Sequence, residues 1–271
     1  MLEAVKKELN IDGSINYLLW NGGNQENTKI SYPLDYYAPG DEISVMKSSW
    51  TDKNAIYLGA LGGTTSITKS HFDKGTFLFD ALGERWFIDL GKDNYDINDN
   101  GTYWHPELRN RLYRLRTEGH NCLVINPTPD DFGQEADIPA KVIRNESTER
   151  GSISVYDLTD IYGDRTNGYI RGFYMCDDRD AVMIQDEVSL EPNSELYWFA
   201  HTKANVEILP DGKSVILKQN GKEIKVEFYT NLDNCTLTVV DAEPLSEKTK
   251  AEGEYSREGI RKLQLKASGV S

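Results

Sequence analysis

The chain has 271 residues, 38% hydrophobic and 27% charged, with a formal net charge of −14, a globular composition long enough for one large all-β domain or two smaller ones. The negative charge argues against general nucleic-acid or acidic-membrane binding, because a polyanion is repelled over long range. No apolar run approaches the roughly 20 residues that span a bilayer. Three widely spaced cysteines, Cys122, Cys176 and Cys235, form no zinc-ribbon or redox pair and read as buried free thiols of a reducing compartment. The start, MLEAVKKELN, lacks an apolar signal segment, which favours the cytoplasm if Met1 is the natural start.

In chain order, residues 2–9 have helical composition, with Asn10 and Gly13 as stop signals. A short apolar piece follows at Ile15 to Gly23, and Gln25 to Gly40 is polar, turn-rich and linker-like. Residues 1–40 thus read as the tail of something larger, and residues 41–271 as the main domain. From Ile43 the pattern becomes short β runs between turns: Ile43–Lys47, Ala55–Leu61, Thr76–Asp80, Arg85–Leu90, Cys122–Ile125, Ala140–Arg144 and Ser152–Leu158. Tyr169–Met175, Ala181–Val188, Leu196–His201 and Val206–Leu209 follow. Val215 and Leu217 alternate up to Asn220-Gly221, and Ile224, Val226 and Phe228 alternate away, a strong hairpin signal. Thr236–Val240 and a strand near Leu263–Leu265 close the list. The expected fold is all-β, a large antiparallel two-sheet sandwich.

The candidate chemistry gathers in KSHFDKGTFLFDALGERWFIDLGKDNYD (Lys69 to Asp96) and TEGHN (Thr117 to Asn121). The turn Ala81-Leu82-Gly83-Glu84 brings Asp89 back towards His71. His71, Asp89 and His120 on neighbouring strands can close three corners of a tetrahedron around zinc and leave the fourth for water. A structural reading stays open beside it, with Asp89 ending a strand in an Asp-Leu-Gly turn. So does a rival site, in which His71, Asp73 and distant His120 form a two-histidine, one-carboxylate triad for Fe(II). No basic residue follows His120 before Lys141 to hold an oxo-acid co-substrate, which weighs against that oxygenase. No serine-nucleophile elbow, Walker loop or dinucleotide fingerprint occurs. His105, after Tyr103-Trp104 and near several arginines, suits a sugar-binding surface. His201, in alternation with Tyr197 and Phe199, reads as a hydrogen-bonded core histidine.

The runs SSW (Ser48 to Trp50), YLGALGG, SHFDKGTFLFDALGERWFIDLGKDNY, YRLRTEGHNCLVINP, SVYDLTDIY, RGFYMCDDRDAVMIQDEV and LYWFAHT resemble the C-terminal β-sandwich region of heparinase II/III-like polysaccharide lyases. The resemblance covers roughly Tyr37 to Phe228. It implies an upstream α/α toroid partner, cleavage of uronate-containing polysaccharides such as heparan sulfate or alginate by β-elimination, and a zinc held by His71, Asp89 and His120. In the family the toroid supplies the tyrosine and histidine for proton transfer, so the catalytic residues of this chain stay unassigned. The position two before the zinc histidine, often histidine in the family, is Lys69, a point charge suited to a uronate carboxylate. If the segment before His120 is extended, Arg114 and Arg116 point to one side, so Arg114 or Arg116, with Lys69, is the expected substrate-facing cation. The competing expectation is a non-catalytic carbohydrate-binding or domain-packing module.

Overall fold

The computed structural model describes residues 32–270 apart from 66–69, 98–102, 104, 106–108, 132 and 250–251. The chain divides into Met1–Pro33 and Leu34–Ser271. The reading of the first residues as a helical remnant lies outside the described residues.

The second unit is built from short strands in the period-2 pattern: β1 (Asp35–Ala38), β2 (Ile43–Lys47), β3 (Tyr57–Leu61), β4 (Phe77–Ala81), β5 (Glu84–Phe87) and β6 (Leu123–Ile125). Then come β7 (Lys141–Thr148), β8 (Gly151–Asp157), β9 (Gly168–Cys176), β10 (Ala181–Ser189), β11 (Ser194–Thr202) and β12 (Asn205–Ile208). The series ends with β13 (Ser214–Gln219), β14 (Lys222–Glu227), β15 (Cys235–Asp241) and β16 (Arg261–Val270). The helical elements with described bounds are 3-10 turns of three to six residues.

The all-β, antiparallel expectation holds, but the two-sheet sandwich does not. Among the described residues the ladders close into four sheets, ordered β1-β2-β3-β4-β5, β10-β9-β8-β7, β15-β16-β11-β6 and β12-β13-β14. Isolated bridges, Gly63 with Ala140 and Ile88 with His201, tie the first sheet to segments of the second and third. Alternation tells which way a side chain faces, not which strands share a ladder. Register shifts at Phe79/Asp80, Val142/Arg144 and Ser194/Glu195 bend the strands locally.

The presumed linker also contains a strand. β1 pairs with β2 from Asp35↔Met46 to Ala38↔Ile43, and Arg179 grips the Asp35 carboxylate with Nη1 at 2.9 Å and Nη2 at 2.6 Å. Four residues are too short to show a period, so only tertiary pairing reveals it. The Asn220-Gly221 hairpin is as expected: both residues have positive φ, +48° and +75°, the twist that a two-residue turn between strands requires. Its tip latches onto the β4–β5 turn, with Asn220 Nδ2 donating to Glu84 at 2.9 Å and Lys222 Nζ to the Leu82 carbonyl at 2.6 Å.

A single main core draws on all four sheets, with Phe77, Trp86, Tyr156, Phe173, Ala200 and Leu217 among its buried members. Phe77 meets Phe87 edge-on at 5.6 Å, and Tyr156 meets Phe173 at 5.5 Å. Buried aromatics of this size each remove about 150–250 Å² from water, so they dominate the packing energy. The buried Trp86 indole finds its polar partner in the Ala81 carbonyl at 2.8 Å. The three cysteines are free thiols, with Cys122 buried.

Candidate metal centre

The β4–β5 hairpin sets the site. Before β4, residues 73–76 turn tightly, with the Thr76 amide donating to the Asp73 carbonyl at 3.0 Å. Gly75 turns there with φ +86°, and a Cβ would lie 2.7 Å from the Leu158 side chain. The Phe72 amide donates to the Leu115 carbonyl at 2.9 Å. The Gln134 side chain clasps both the amide and the carbonyl of Lys74, at 3.0 and 2.7 Å. His71 and Asp73 are therefore fixed through their neighbours' backbone. After β5, Asp89 Oδ1 accepts from the Gly91 amide at 2.7 Å, so the Asp-Leu-Gly turn is real and leaves Oδ2 for another partner.

That partner arrives through two 3-10 turns, Tyr113–Leu115 and Thr117–Gly119, followed by His120. Gly119 is demanded by close approach: a Cβ there would stand 2.1 Å from the Tyr113 carbonyl oxygen. Asn121 then staples the loop to the hairpin, its Nδ2 donating to the carbonyls of Phe77 and Ile88 at 2.8 and 2.9 Å. Its Oδ1 accepts from the His201 amide at 2.7 Å, with His201 Nδ1 at 3.2 Å. Lys262 Nζ donates to the Tyr113 hydroxyl at 3.2 Å, and that hydroxyl meets His201 Nε2 at 2.9 Å. Since Lys262 has only donors, Tyr113 donates onward to Nε2, and His201 carries its proton on Nδ1. His201 is thus a satisfied core histidine, kept neutral by burial and then by the Lys262 charge, which hold its pKa well below the ordinary value.

The three ligand atoms offered by His71, Asp73 and His120 lie within 4.8 Å of one another, and the two imidazole rings are 5.3 Å apart between centroids. His120 Nδ1 meets Asp89 Oδ2 at 2.6 Å, whereas His120 Nε2 is buried without a hydrogen-bond partner. A buried ring nitrogen left unsatisfied is costly unless something fills the place. With Nδ1 engaged by a carboxylate, Nε2 is the nitrogen open to a metal, the usual carboxylate–histidine–metal arrangement.

The electrostatics suit that role. Burial, and then the neighbouring His120, lower the His71 pKa to about 4, so its ring is neutral and able to ligate at neutral pH. Burial disfavours charge on His120, but the Asp89 carboxylate outweighs it and raises the pKa. Despite its own burial, Asp89 is held well below the usual carboxylate range by His120. The donors, two imidazoles and a carboxylate, fit zinc with one open position.

The other expected site residues fare differently. Lys69 lies outside the described residues. His105 is exposed and stands outside the His71–Asp73–His120 group. Arg114 and Arg116, expected to face substrate, are buried, 8% and 4% exposed. Arg114 donates to the carbonyls of Leu90 and Ser256 with Asp93 at 3.7 Å. Arg116 donates to the carbonyls of Pro129 and Asp131 at 3.1 and 2.7 Å with Glu118 at 3.0 Å. The reason is local geometry: these arginines sit in and beside tight 3-10 turns, where strand alternation does not apply.

The arginine beside the cluster is Arg109, half-buried, donating to the Ser70 carbonyl at 2.7 Å and lying over the Tyr103 ring at 5.2 Å. A wholly buried residue, Arg171, also escaped the sequence reading. It donates through Nη1 to the carbonyls of Gly75 and Asn121, at 2.7 and 2.9 Å. Its signal was available: in β9 it falls on the buried parity with Tyr169, Phe173 and Met175.

Comparison with known proteins agrees with this architecture. No curated protein sequence matches the chain. Among solved structures, it is similar to the heparan sulfate lyase HepC from Pedobacter heparinus, with a TM-score of 0.69 at 14% identity over 99% of this chain and 38% of that one. A crystal structure of heparinase III gives 0.63 at 12% identity, over 100% of this chain and 42% of that one. The chain therefore spans about two-fifths of the length of these structures, and at such identity the likeness shows a shared fold. Residues 55–264 match the family described as heparinase II/III-like, C-terminal, and the chain belongs to that family.

Proposed function

We propose that this chain is the metal-binding C-terminal part of a polysaccharide lyase that cleaves uronate-containing polysaccharides by β-elimination together with an upstream α/α toroid. The observation that carries the metal is the buried, unpartnered Nε2 of His120 beside His71 and Asp73. Zinc is held by His71, His120 and Asp73, while Asp89 fixes the His120 ring through Nδ1. A second reading takes Asp89 as the third ligand, favoured by its 2.6 Å approach to His120. Bound metal would cross-link the turn before β4 to the loop after the 3-10 turns and so order the surface beside them.

β-Elimination needs a neutralised uronate carboxylate, a base at the acidic α-carbon and an acid for the leaving oxygen. Lys74 is buried and already paired with Asp73, so Arg109, half-buried beside the His71 segment, meets the first need. Tyr113 and His201, a tyrosine–histidine pair in hydrogen-bond contact, are fully buried and out of reach of a polymer. Proton transfer is therefore assigned to the upstream toroid, and the isolated chain is expected to be inactive.

The test has two parts. Elemental analysis of chelator-free protein is expected to give one zinc per chain, lost in His71→Ala and His120→Ala. Loss in Asp73→Asn with retention in Asp89→Asn selects the first ligand set; the reverse selects the second. Absence of zinc with stoichiometric iron would move the site to the iron triad reading. In a two-domain form, ultraviolet absorbance of unsaturated uronate products from heparan sulfate, heparin, alginate or hyaluronan reports turnover. Robust turnover by the 271-residue chain alone would overturn the division of labour, and binding without turnover in the two-domain form would leave a carbohydrate-binding module.

A further inference from the structure

A cavity of about 460 Å³ opens at the opposite end of the β4–β5 hairpin from the metal cluster. The β2–β3 connection lines it with Lys47, Trp50, Lys53 and Tyr57, and the hairpin turn adds Asp80 and Arg85. His71 and Asp73 precede β4 and Asp89 follows β5, whereas the cavity reaches the Leu82-Gly83 turn. At about 3.3 Å per residue, five residues of strand separate the two places by about 15 Å.

Trp50 is 54% exposed, a large aromatic left at the surface. Lys47 Nζ sits 3.9 Å from the Trp50 ring centroid and 5.5 Å from that of Tyr57, so a cation is held at an aromatic wall. Of the three carboxylates lining the cavity, Asp80 and Glu84 are paired with cations. Asp80 takes Arg85 bidentately at 2.7 and 3.0 Å, Glu84 takes Lys222 and Asn220, and Asp52 accepts from the Asn54 amide at 2.8 Å. Lys47 and Lys53 enter no ion pair among the described residues. With Asp80 and Glu84 paired to cations, Lys47 and Lys53 outnumber Asp52, the remaining lining carboxylate, and an excess cation beside an exposed tryptophan favours an anion carried on a ring. Pyranose rings offer an apolar face to an aromatic and, in uronates or sulfated sugars, a charged group at the ring edge.

We infer that this cavity is a second saccharide subsite, for an anionic pyranose unit, separate from the metal cluster. Trp50 packs on the sugar ring, and Lys47 and Lys53 pair with its carboxylate or sulfate. The inference rests on the polysaccharide reading above, yet its test needs no turnover, so the two fail separately.

The experiment is calorimetric titration of the full chain with three tetrasaccharides: an unsulfated polyuronate, a sulfated neutral glycan and a neutral glucan. Variants are Trp50→Ala, Lys47→Gln with Lys53→Gln, and His120→Ala, each checked for native circular dichroism. Anionic ligands are expected to bind, with Trp50→Ala weakening them about tenfold or more, as truncation of an aromatic anchor does at binding sites. The double glutamine variant is expected to erase the preference for anionic over neutral ligand, and His120→Ala to leave the site's affinity unchanged. The two anionic arms tell carboxylate from sulfate. Wild-type affinity in Trp50→Ala, no anionic preference in the wild type, no binding of any anionic ligand, or loss of binding only in His120→Ala would each overturn the assignment.

Discussion

Arg171 Nη1 donates to the Asn121 carbonyl at 2.9 Å, while the same guanidinium grips Asp186 through Nε at 2.6 Å and Nη2 at 2.9 Å. One side chain from the second sheet thus fixes both the loop that carries His120 and the turn that carries Asp73. Arg171→Ala leaves the Asp186 carboxylate with only the Tyr169 hydroxyl and two carbonyls without this donor, a change that costs about 3–5 kcal/mol when a buried pair is broken. Chemical denaturation should show that loss, and zinc affinity should fall with it. The double change Arg171→Met, Asp186→Leu should be less destabilised than Arg171→Ala. A single alanine variant within about 0.5 kcal/mol of wild type would show that the arginine is dispensable.

Gly119 and Gly168 make a controlled pair. A methyl at Gly119 collides with the Tyr113 carbonyl oxygen, whereas at Gly168 its nearest neighbour is Ser189 Cβ at 3.9 Å. Gly119→Ala should lose several-fold more stability than Gly168→Ala, which should stay within about 0.5 kcal/mol of wild type. Thermal melts of both variants, with zinc and with chelator, check the ranking. Equal melting temperatures would mean that the loop before His120 adjusts freely.

Stability should also carry a signature of Lys262. Burial lowers its pKa to about 8, against about 10.4 in an unfolded chain. Between those values the unfolded state binds the proton that the folded state has released, so the lysine's contribution to stability rises with pH. Cys122 acts in the opposite sense, because burial pushes its thiol pKa up and the unfolded chain loses that proton first. Near pH 10 the buried Tyr113, also pushed up by burial, begins to oppose the lysine too. The difference in unfolding free energy between wild type and Lys262→Met isolates the lysine and should increase from about pH 8 to about pH 10. A flat difference would mean that Lys262 titrates as it does in water.

His120 and His105 should separate on heating. His120 is buried against Asp89, and His105 is exposed. In zinc-loaded protein, His120→Ala should lower the melting temperature more than His105→Ala, and chelation should shrink the gap. Equal effects before chelation would remove His120 from the ligand set.

Much of this was legible in the residues because it depends on local pattern. β2 runs from Ile43 to Lys47 as its alternation predicts, and Asn220-Gly221 announces its own hairpin. The meeting of His71 and His120 followed from two short motifs on neighbouring elements. Asp73 was visible as a ligand only in the iron alternative. It sits in a turn two residues from His71, and turn geometry is not governed by a strand period. The burial of Arg114 and Arg116 was hidden for the same reason. Arg171 was legible in principle, since an arginine on the inward parity of a strand must be bonded inside, but its partners on distant segments were not.

The division into four sheets has a further cost for the folded molecule. By the described ladders, β1, β5, β6, β7, β10, β12, β14 and β15 each end a sheet, and a strand without a ladder partner on one side is one that a second chain could match. Charged residues punctuate several of them: Lys141, Arg144 and Glu146 along β7, and Lys222, Glu223, Lys225 and Glu227 around Ile224 and Val226 in β14. The abundance of surface charge on this protein thus works as a guard against strand-to-strand self-association. Replacing Lys225 and Glu223 by valine would leave an uninterrupted apolar margin from residue 223 to residue 226, where light scattering should detect aggregation before any loss of fold.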